Sequence, residues 1–319
     1  MTKLEKLSDG TKWDALVNNS PQANVFCTTT FLDTLAVDYE LLILEDKGNI
    51  QAGTVVLLDK AGIPFRSSYF FSMYHGIIYS CYKETLRPHK RYHKNQQILK
   101  HLILEVLNVY PNISFCLHPT IKDIRPFSWY NYDGLPSQKF NLAIKYTGLI
   151  DFENYNFDKY FALIRTTRRQ EYRSALKAGL TAKKSEDIDT LLVLYKKTFQ
   201  RQGVSIGPDK LEVLKSIVEK FLSTGNGQLV LTYLPNKIPI AGTFFIKYGS
   251  IGYYLVGAND SNFSHAFGGT YCFLSSIKWL LKDGIKQVDV CGMNSPNRGD
   301  FKLSFNAVPR PYYTASIEQ

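Results

Sequence analysis

The chain has 319 residues, 45% hydrophobic and 21% charged, a globular balance that excludes disordered and collagen-like classes. Its net charge of +10 leaves the fold open but favours polyanionic ligands, such as a nucleotide, CoA, tRNA or an anionic membrane surface. DNA is not expected among the partners, and no stretch reaches the roughly 20 apolar residues of a membrane span.

Five cysteines, at 27, 81, 116, 272 and 291, contain no Cys-x-x-Cys pair and point to a reducing compartment. The N-terminus lacks an apolar signal-like region. A cytoplasmic location is therefore expected, with peripheral membrane contact allowed. The six histidines have no metal-ligand spacing, so no metal is expected.

In chain order, residues 13–18 read as a short helix, and 26–37 as another capped through Thr28, Thr29 and Thr30. Strand signals follow at 41–44, 52–57 and 76–79. Ile98, Leu99, Leu102, Ile103, Val106 and Leu107 repeat at helical spacing, Pro111 ends that helix, and 113–117 reads as a buried strand. Residues 119–134 read as a loop and 140–144 as a strand, with a domain boundary near 148–154.

The second half opens with one helix over 157–179, stopped by Gly179, and a short strand at 180–185. Two amphipathic helices follow, marked by Ile188 to Phe199 and Leu214 to Leu222. Strands are expected at 228–233, 240–246 and 251–256, then a helix over 270–282 and a buried strand at 287–290. The tail 310–316 reads as a last strand. Ala52-Gly53-Thr54 and Ala241-Gly242-Thr243 are the same triplet in matching places. In each half an amphipathic helix later runs into a buried strand, so the pattern reads as a duplicated α/β unit, residues 1–150 and 151–319.

Three stretches carry candidate chemistry. The strand at 287–290 runs into a Gly-, Asn- and Pro-rich turn bearing Asn294, Arg298, Asp300 and Lys302. Ligands of open α/β sheets gather beyond strand carboxyl ends, and a lysine between Phe301 and Phe305 would be partly desolvated, suited to an oxyanion or a phosphate. His265, Gly268, Gly269 and Thr270 open a helix, where backbone N–H groups can hold a pyrophosphate. Arg169, Arg173 and Lys177 fall at i, i+4 and i+8 on one helix face and suit phosphates or a tRNA backbone. Asp289, Asp300 and His75 are the candidate bases, with a place for His75 in a cleft weighed below its reading as a satisfied structural histidine.

The stretch 168–180, Pro239-Ile240-Ala241-Gly242-Thr243, Tyr253 to Ala258, Gly268-Gly269-Thr270-Tyr271 and Gly292 to Phe305 together resemble the Fem-like branch of the GNAT superfamily, including BioF2-like acetyltransferases. The resemblance covers about residues 155–310 by motif and the first half by order of elements. It implies an α/β (α+β) fold of two tandem GNAT-like domains, each a mixed, mostly antiparallel sheet flanked by helices. It implies that Lys302 is the terminal Phe-Lys lysine assigned to the tetrahedral intermediate, that Arg169 and Arg173 contact phosphates and that Tyr254 lines the cleft. Two departures stand out. Asn306 replaces the glycine that usually closes the motif, and His265 with Gly268-Gly269 replaces the usual pyrophosphate loop.

The expected function is an N-acyltransferase moving an acyl group from acyl-CoA to the amine of an amino sugar or other envelope-related small molecule. The alternative is an aminoacyl-tRNA-dependent aminoacyltransferase acting on a cell-wall precursor; a further one is a catalytically inactive module binding a nucleotide ligand. No permanently bound cofactor is expected: acyl-CoA or aminoacyl-tRNA is a co-substrate, and the acceptor is a small-molecule or nucleotide-linked amine.

Overall fold

The first strand, β1 (Lys3–Lys6), leads into α1 (Gly10–Asn18), whose start is fixed by Asp9: its carboxylate accepts from the backbone N–H groups of Thr11 and Lys12, relieving two of the helix's unsatisfied donors. The helix α2 (Thr29–Leu32) follows, then the hairpin β2 (Asp38–Asp46) and β3 (Asn49–Leu58). Lys47 and Gly48 turn this hairpin with φ of 52° and 80°, the positive values that a two-residue hairpin loop requires. After β4 (Ile77–Tyr79) come α3 (Pro88–Val109), β5 (Ile113–Cys116) and the one-turn α4 (Arg125–Ser128). These elements are seen in a computed structural model that describes residues 2–67, 69–81, 87–201 and 203–318.

The rest of the chain forms β6 (Asn141–Asp151), α5 (Phe157–Leu163), α6 (Thr166–Lys177), β7 (Thr181–Lys184), α7 (Ile188–Gln200) and α8 (Pro208–Ser223). Then come β8 (Gly227–Tyr233), β9 (Pro239–Tyr248), β10 (Ile251–Asn259), α9 (Gly268–Lys282), β11 (Gln287–Asp289), α10 (Pro296–Leu303) and β12 (Val308–Ile317). The chain divides into two compact units, one of residues 1–145 with 311–319 and one of residues 146–310.

In the first unit β1, β2, β3 and β4 form an antiparallel sheet in that order. The expected face of α3 is buried, with Ile98, Leu99, Leu102, Ile103, Val106 and Leu107 packed among Leu42, Leu44, Val56 and Phe115. β5 pairs antiparallel with the tail, Ile113 opposite Ile317 and Cys116 opposite Thr314. That pairing places the last residues in the first unit rather than in the second half, where the sequence had put them.

In the second unit the sheet runs β6-β11-β10-β9-β8-β7, with β10 and β11 as its parallel pair and the other neighbours antiparallel. Along β9 the side chains alternate between faces. Gly242 meets Leu191 of α7 on one face, while Thr243 and Phe245 meet Ser276 and Phe273 of α9 on the other. The sheet is therefore covered on both sides.

The repeated Ala-Gly-Thr has a packing cause in each unit. A Cβ at Gly53 would lie 2.6 Å from the Trp13 ring, and one at Gly242 3.0 Å from Leu191 Cδ1. Each glycine lets a helix side chain approach a central strand.

Four expectations fail locally. The helix expected over 26–37 is a 3₁₀ turn followed by the four-residue α2; Thr28 caps α2 as read, but Ala36 at φ 54° ends any continuation. β6 runs on into the expected boundary as far as Asp151, with Gly148 mid-strand, where a Cβ would crowd Met293 Sδ and Ala307. The single helix over 157–179 is broken: Ile164 is extended and buried, and the Arg165 N–H donates to the Ser304 carbonyl at 2.9 Å. The turn expected to bear Lys302 contains the helix α10.

Candidate active site

The parallel pairing of β10 with β11 stops at Tyr253 and Asp289, but β10 continues to Asn259. A register shift between Tyr254 and Val256 bends β10 where it leaves its partner, the usual effect of a bulge. Beyond the end of β11 the backbone turns sharply: Cys291 and Gly292 both take positive φ, 51° and 77°.

Lys302 reaches this turn from α10. It is 7% exposed, and its ammonium donates to the carbonyls of Val290, Cys291 and Gly292, the last two at 2.7 and 2.8 Å. An ammonium has three donors, so all three are used. The Tyr254 ring lies under the charge at 5.5 Å, and Phe245 and Phe273 back it. Burial pulls the Lys302 pKa down to about 8; Cys291 and Asp289 oppose this and Arg298 adds to it.

The N–H side of the same turn is held too. Buried Asp289 accepts from the Thr147 hydroxyl at 2.5 Å and from the Cys291 N–H at 2.8 Å, and the Met293 N–H donates to the Tyr146 carbonyl at 2.7 Å. Asn294 Oδ1 accepts from the Tyr146 N–H at 2.7 Å. Asp289 thus serves as an anchor of the turn, in contrast to the expected base.

Arg298 stands one helical turn before Lys302 on the same face of α10 and is exposed. Its positive field eases ionisation of buried Tyr195, which burial raises to about 12, and adds to the burial that lowers the Lys210 ammonium. Asp300 points elsewhere, into an ion pair with Arg165, and Arg165 holds its carboxyl below the usual range. An open depression of 540 Å³ lies beside Tyr146, Asn294, Asp300, Leu303 and Pro309, and Lys302 does not line it.

A second polar cluster joins three helices. Arg168 of α6 donates Nε to Ser304 Oγ at 2.7 Å and Nη1 to Glu171 Oε2 at 2.6 Å and Thr270 Oγ1 at 3.3 Å. Thr270 also donates to Glu171 at 2.6 Å, and the Arg168 guanidinium lies over the Phe301 ring at 4.8 Å. This cluster sits at the start of α9. Gly268 and Gly269 belong to the first turn of that helix, which begins two residues before the expected start, and Phe267 is its N-cap at φ 58°. A Cβ at Gly268 would lie 2.7 Å from Ile240 Cδ1. His265 is exposed just before.

On α6, Arg169 donates to Thr166 at 2.8 Å, and exposed Arg173 lies over the Phe161 ring at 5.7 Å. His75 belongs to the first unit. It is buried beside Ser72 Oγ at 3.2 Å, and burial lowers its pKa to about 4, so it is a neutral interior side chain. The structure therefore gathers Lys302, Tyr254 and Asp289 around one turn, with Arg298 above Lys302 on α10. Thr147, Glu171 and the role of Arg168 went unread. Only the i, i+3 spacing of Arg168 and Glu171 announced any of them.

Residues 163–302 match the family model described as an acetyltransferase (GNAT) domain, so the second unit carries a GNAT domain. The fold of the whole chain is that of tandem GNAT proteins. It is similar to the crystal structure of FemX, with a TM-score of 0.66 and 15% identity over 97% of this chain and 96% of that one. A tandem GNAT protein from the clavulanic acid biosynthesis pathway superimposes with a TM-score of 0.57 and 9% identity, over 100% and 99% of the two chains. L-PGS from Bacillus licheniformis gives 0.51 and 12%, over 97% and 92%. No curated protein sequence matches significantly. Among the described residues no helix is long and apolar enough to cross a membrane, and no cluster of His, Cys, Asp and Glu could hold a metal ion.

Proposed function

We propose that the chain is an N-acyltransferase that moves an acyl group from acyl-CoA to the amine of an amino sugar or another envelope-related small molecule. The observation that carries this reading is the parting of β10 from β11 within the GNAT domain, directly above the Lys302 turn. A strand that outruns its partner offers backbone N–H and C=O groups to an extended ligand. The amide-bearing arm of CoA has that chemistry. The glycine-opened start of α9 suits its pyrophosphate, with His265, Gly268, Gly269 and Thr270 at that end. Arg298, Arg169, Arg173 and Asn294 are the proposed acceptor contacts and Tyr254 a wall of the site.

Such a transfer needs little covalent help. Holding a neutral amine against a thioester carbonyl supplies most of the rate, and the proton leaves to solvent or to the departing thiolate. A cytoplasmic location is part of this reading.

A second donor, aminoacyl-tRNA with a cell-wall precursor as acceptor, is favoured by the likeness of fold to FemX over nearly the whole chain and by the net charge of +10. Thermal-shift titration separates the two. Stabilisation by acetyl-CoA at micromolar concentration supports the first. A shift with charged tRNA and none with any CoA ester moves the reading to the second.

A further inference from the structure

Lys302 is the residue that the resemblance assigns to the reacting carbonyl, yet its geometry is that of a saturated group. Three successive carbonyls converge on its ammonium, and a fourth acceptor can be served only by giving one of them up. The carbonyls converge because Cys291 and Gly292 are both left-handed. For a residue with a Cβ that conformation is unfavourable, and Cys291 is such a residue. Something must hold it there. The N–H groups of the turn are tied to Asp289 and Tyr146, and the carbonyl side is tied by Lys302. A charge buried at 7% exposure is expensive, and a common use for that expense is to select one conformation.

We propose that Lys302 is a positioning residue: its ammonium pins the left-handed turn of residues 290–292, and it shapes the floor of the site through that turn without itself contacting the reacting carbonyl. The role rests on the transferase reading above. The lysine acts through the backbone at the point where β10 and β11 part.

The test pairs Lys302→Met, which keeps the length and removes the donors, with Cys291→Gly, which removes the left-handed cost without touching Lys302. Acyl or aminoacyl transfer in Lys302→Met falls about 10²-fold, the usual result of a misplaced site. The double variant regains about fivefold of that loss, because glycine takes the turn unaided. Amide exchange at residues 291–293 speeds up in Lys302→Met and slows again in the double variant. If Lys302→Met does not fold, Lys302→Gln, which keeps two donors, replaces it and gives intermediate exchange. Restored exchange without restored transfer overturns the proposal, since the lysine then acts on the substrate. Unchanged exchange in Lys302→Met overturns it too. A wild-type chain that transfers nothing defeats the transferase reading instead, and the exchange measurement still decides the role of Lys302 in the turn.

Discussion

Arg165 and Asp300 form a two-pronged ion pair, Nη1 to Oδ2 at 2.9 Å and Nη2 to Oδ1 at 2.7 Å, between the cap of α6 and the middle of α10. Both side chains are about half exposed, and such pairs add little to stability. Arg165 also keeps the Asp300 carboxyl below its usual range, which makes it a poor base at neutral pH. Asp300→Asn should therefore leave the melting temperature nearly unchanged and cost transfer less than about tenfold. A loss of a thousandfold in steady-state rate would restore Asp300 as the base.

The Lys302 charge has a pH signature. Its folded pKa, about 8, lies below the 10.5 of a free lysine, so between these values the unfolded chain binds more protons. Stability of the wild type relative to Lys302→Met should rise as pH climbs from 8 to 10.5, by up to about 3 kcal/mol. Urea unfolding of both proteins across that window measures it. A flat difference would mean that the charge carries no burial cost.

His75 and His118 behave alike at the acid end. Burial lowers both to about 4 from 6.5, so the unfolded chain takes up protons first and stability is lost as pH falls through that window. Each contributes on the order of 3 kcal/mol. His75→Gln should flatten the acid limb of a stability profile by about one proton.

Asp289 anchors two donors in the interior. Asp289→Ala would leave the Thr147 hydroxyl without its acceptor and orphan the Cys291 N–H, at a cost of about 3 kcal/mol, whereas Thr147→Val loses its bond to Asp289 and a long one from the Gly292 N–H at 3.4 Å, about 1 kcal/mol. Equal losses in denaturant unfolding would contradict the shared-acceptor geometry.

Arg168 binds Ser304, Glu171 and Thr270 at fixed angles and stacks on Phe301. A lysine ammonium cannot reproduce that fork. Arg168→Lys should destabilise nearly as much as Arg168→Ala, about 2 kcal/mol, by calorimetry.

The elements read correctly from sequence are those whose own pattern decides them. α3 declares its buried face by periodicity, and α8 does the same. Gly179 stops the chain after α6 at φ 75° as expected. Failures arise where a distant residue decides. The break before α6 exists because Ser304 claims the Arg165 N–H, and no glycine or proline marks it. α10 hides behind Asn, Pro and Gly, because Pro296 sits where a missing N–H costs nothing and buried Gly299 packs 3.1 Å from the Met293 carbonyl, measured from a Cβ position. Lys302 was legible as a desolvated lysine near a strand end. Its three carbonyl partners were not, since the left-handed Cys291 is set by tertiary bonds.

The first unit closes with a strand that follows the second unit in the chain, β12 beside β5. On the ribosome this has a temporal consequence. Residues 146–310 emerge whole and can fold while synthesis continues, but β5 waits for its neighbour until residues 311–317 have followed them. Until then the nascent protein carries an open strand edge in its first unit, a template on which incomplete chains can pair.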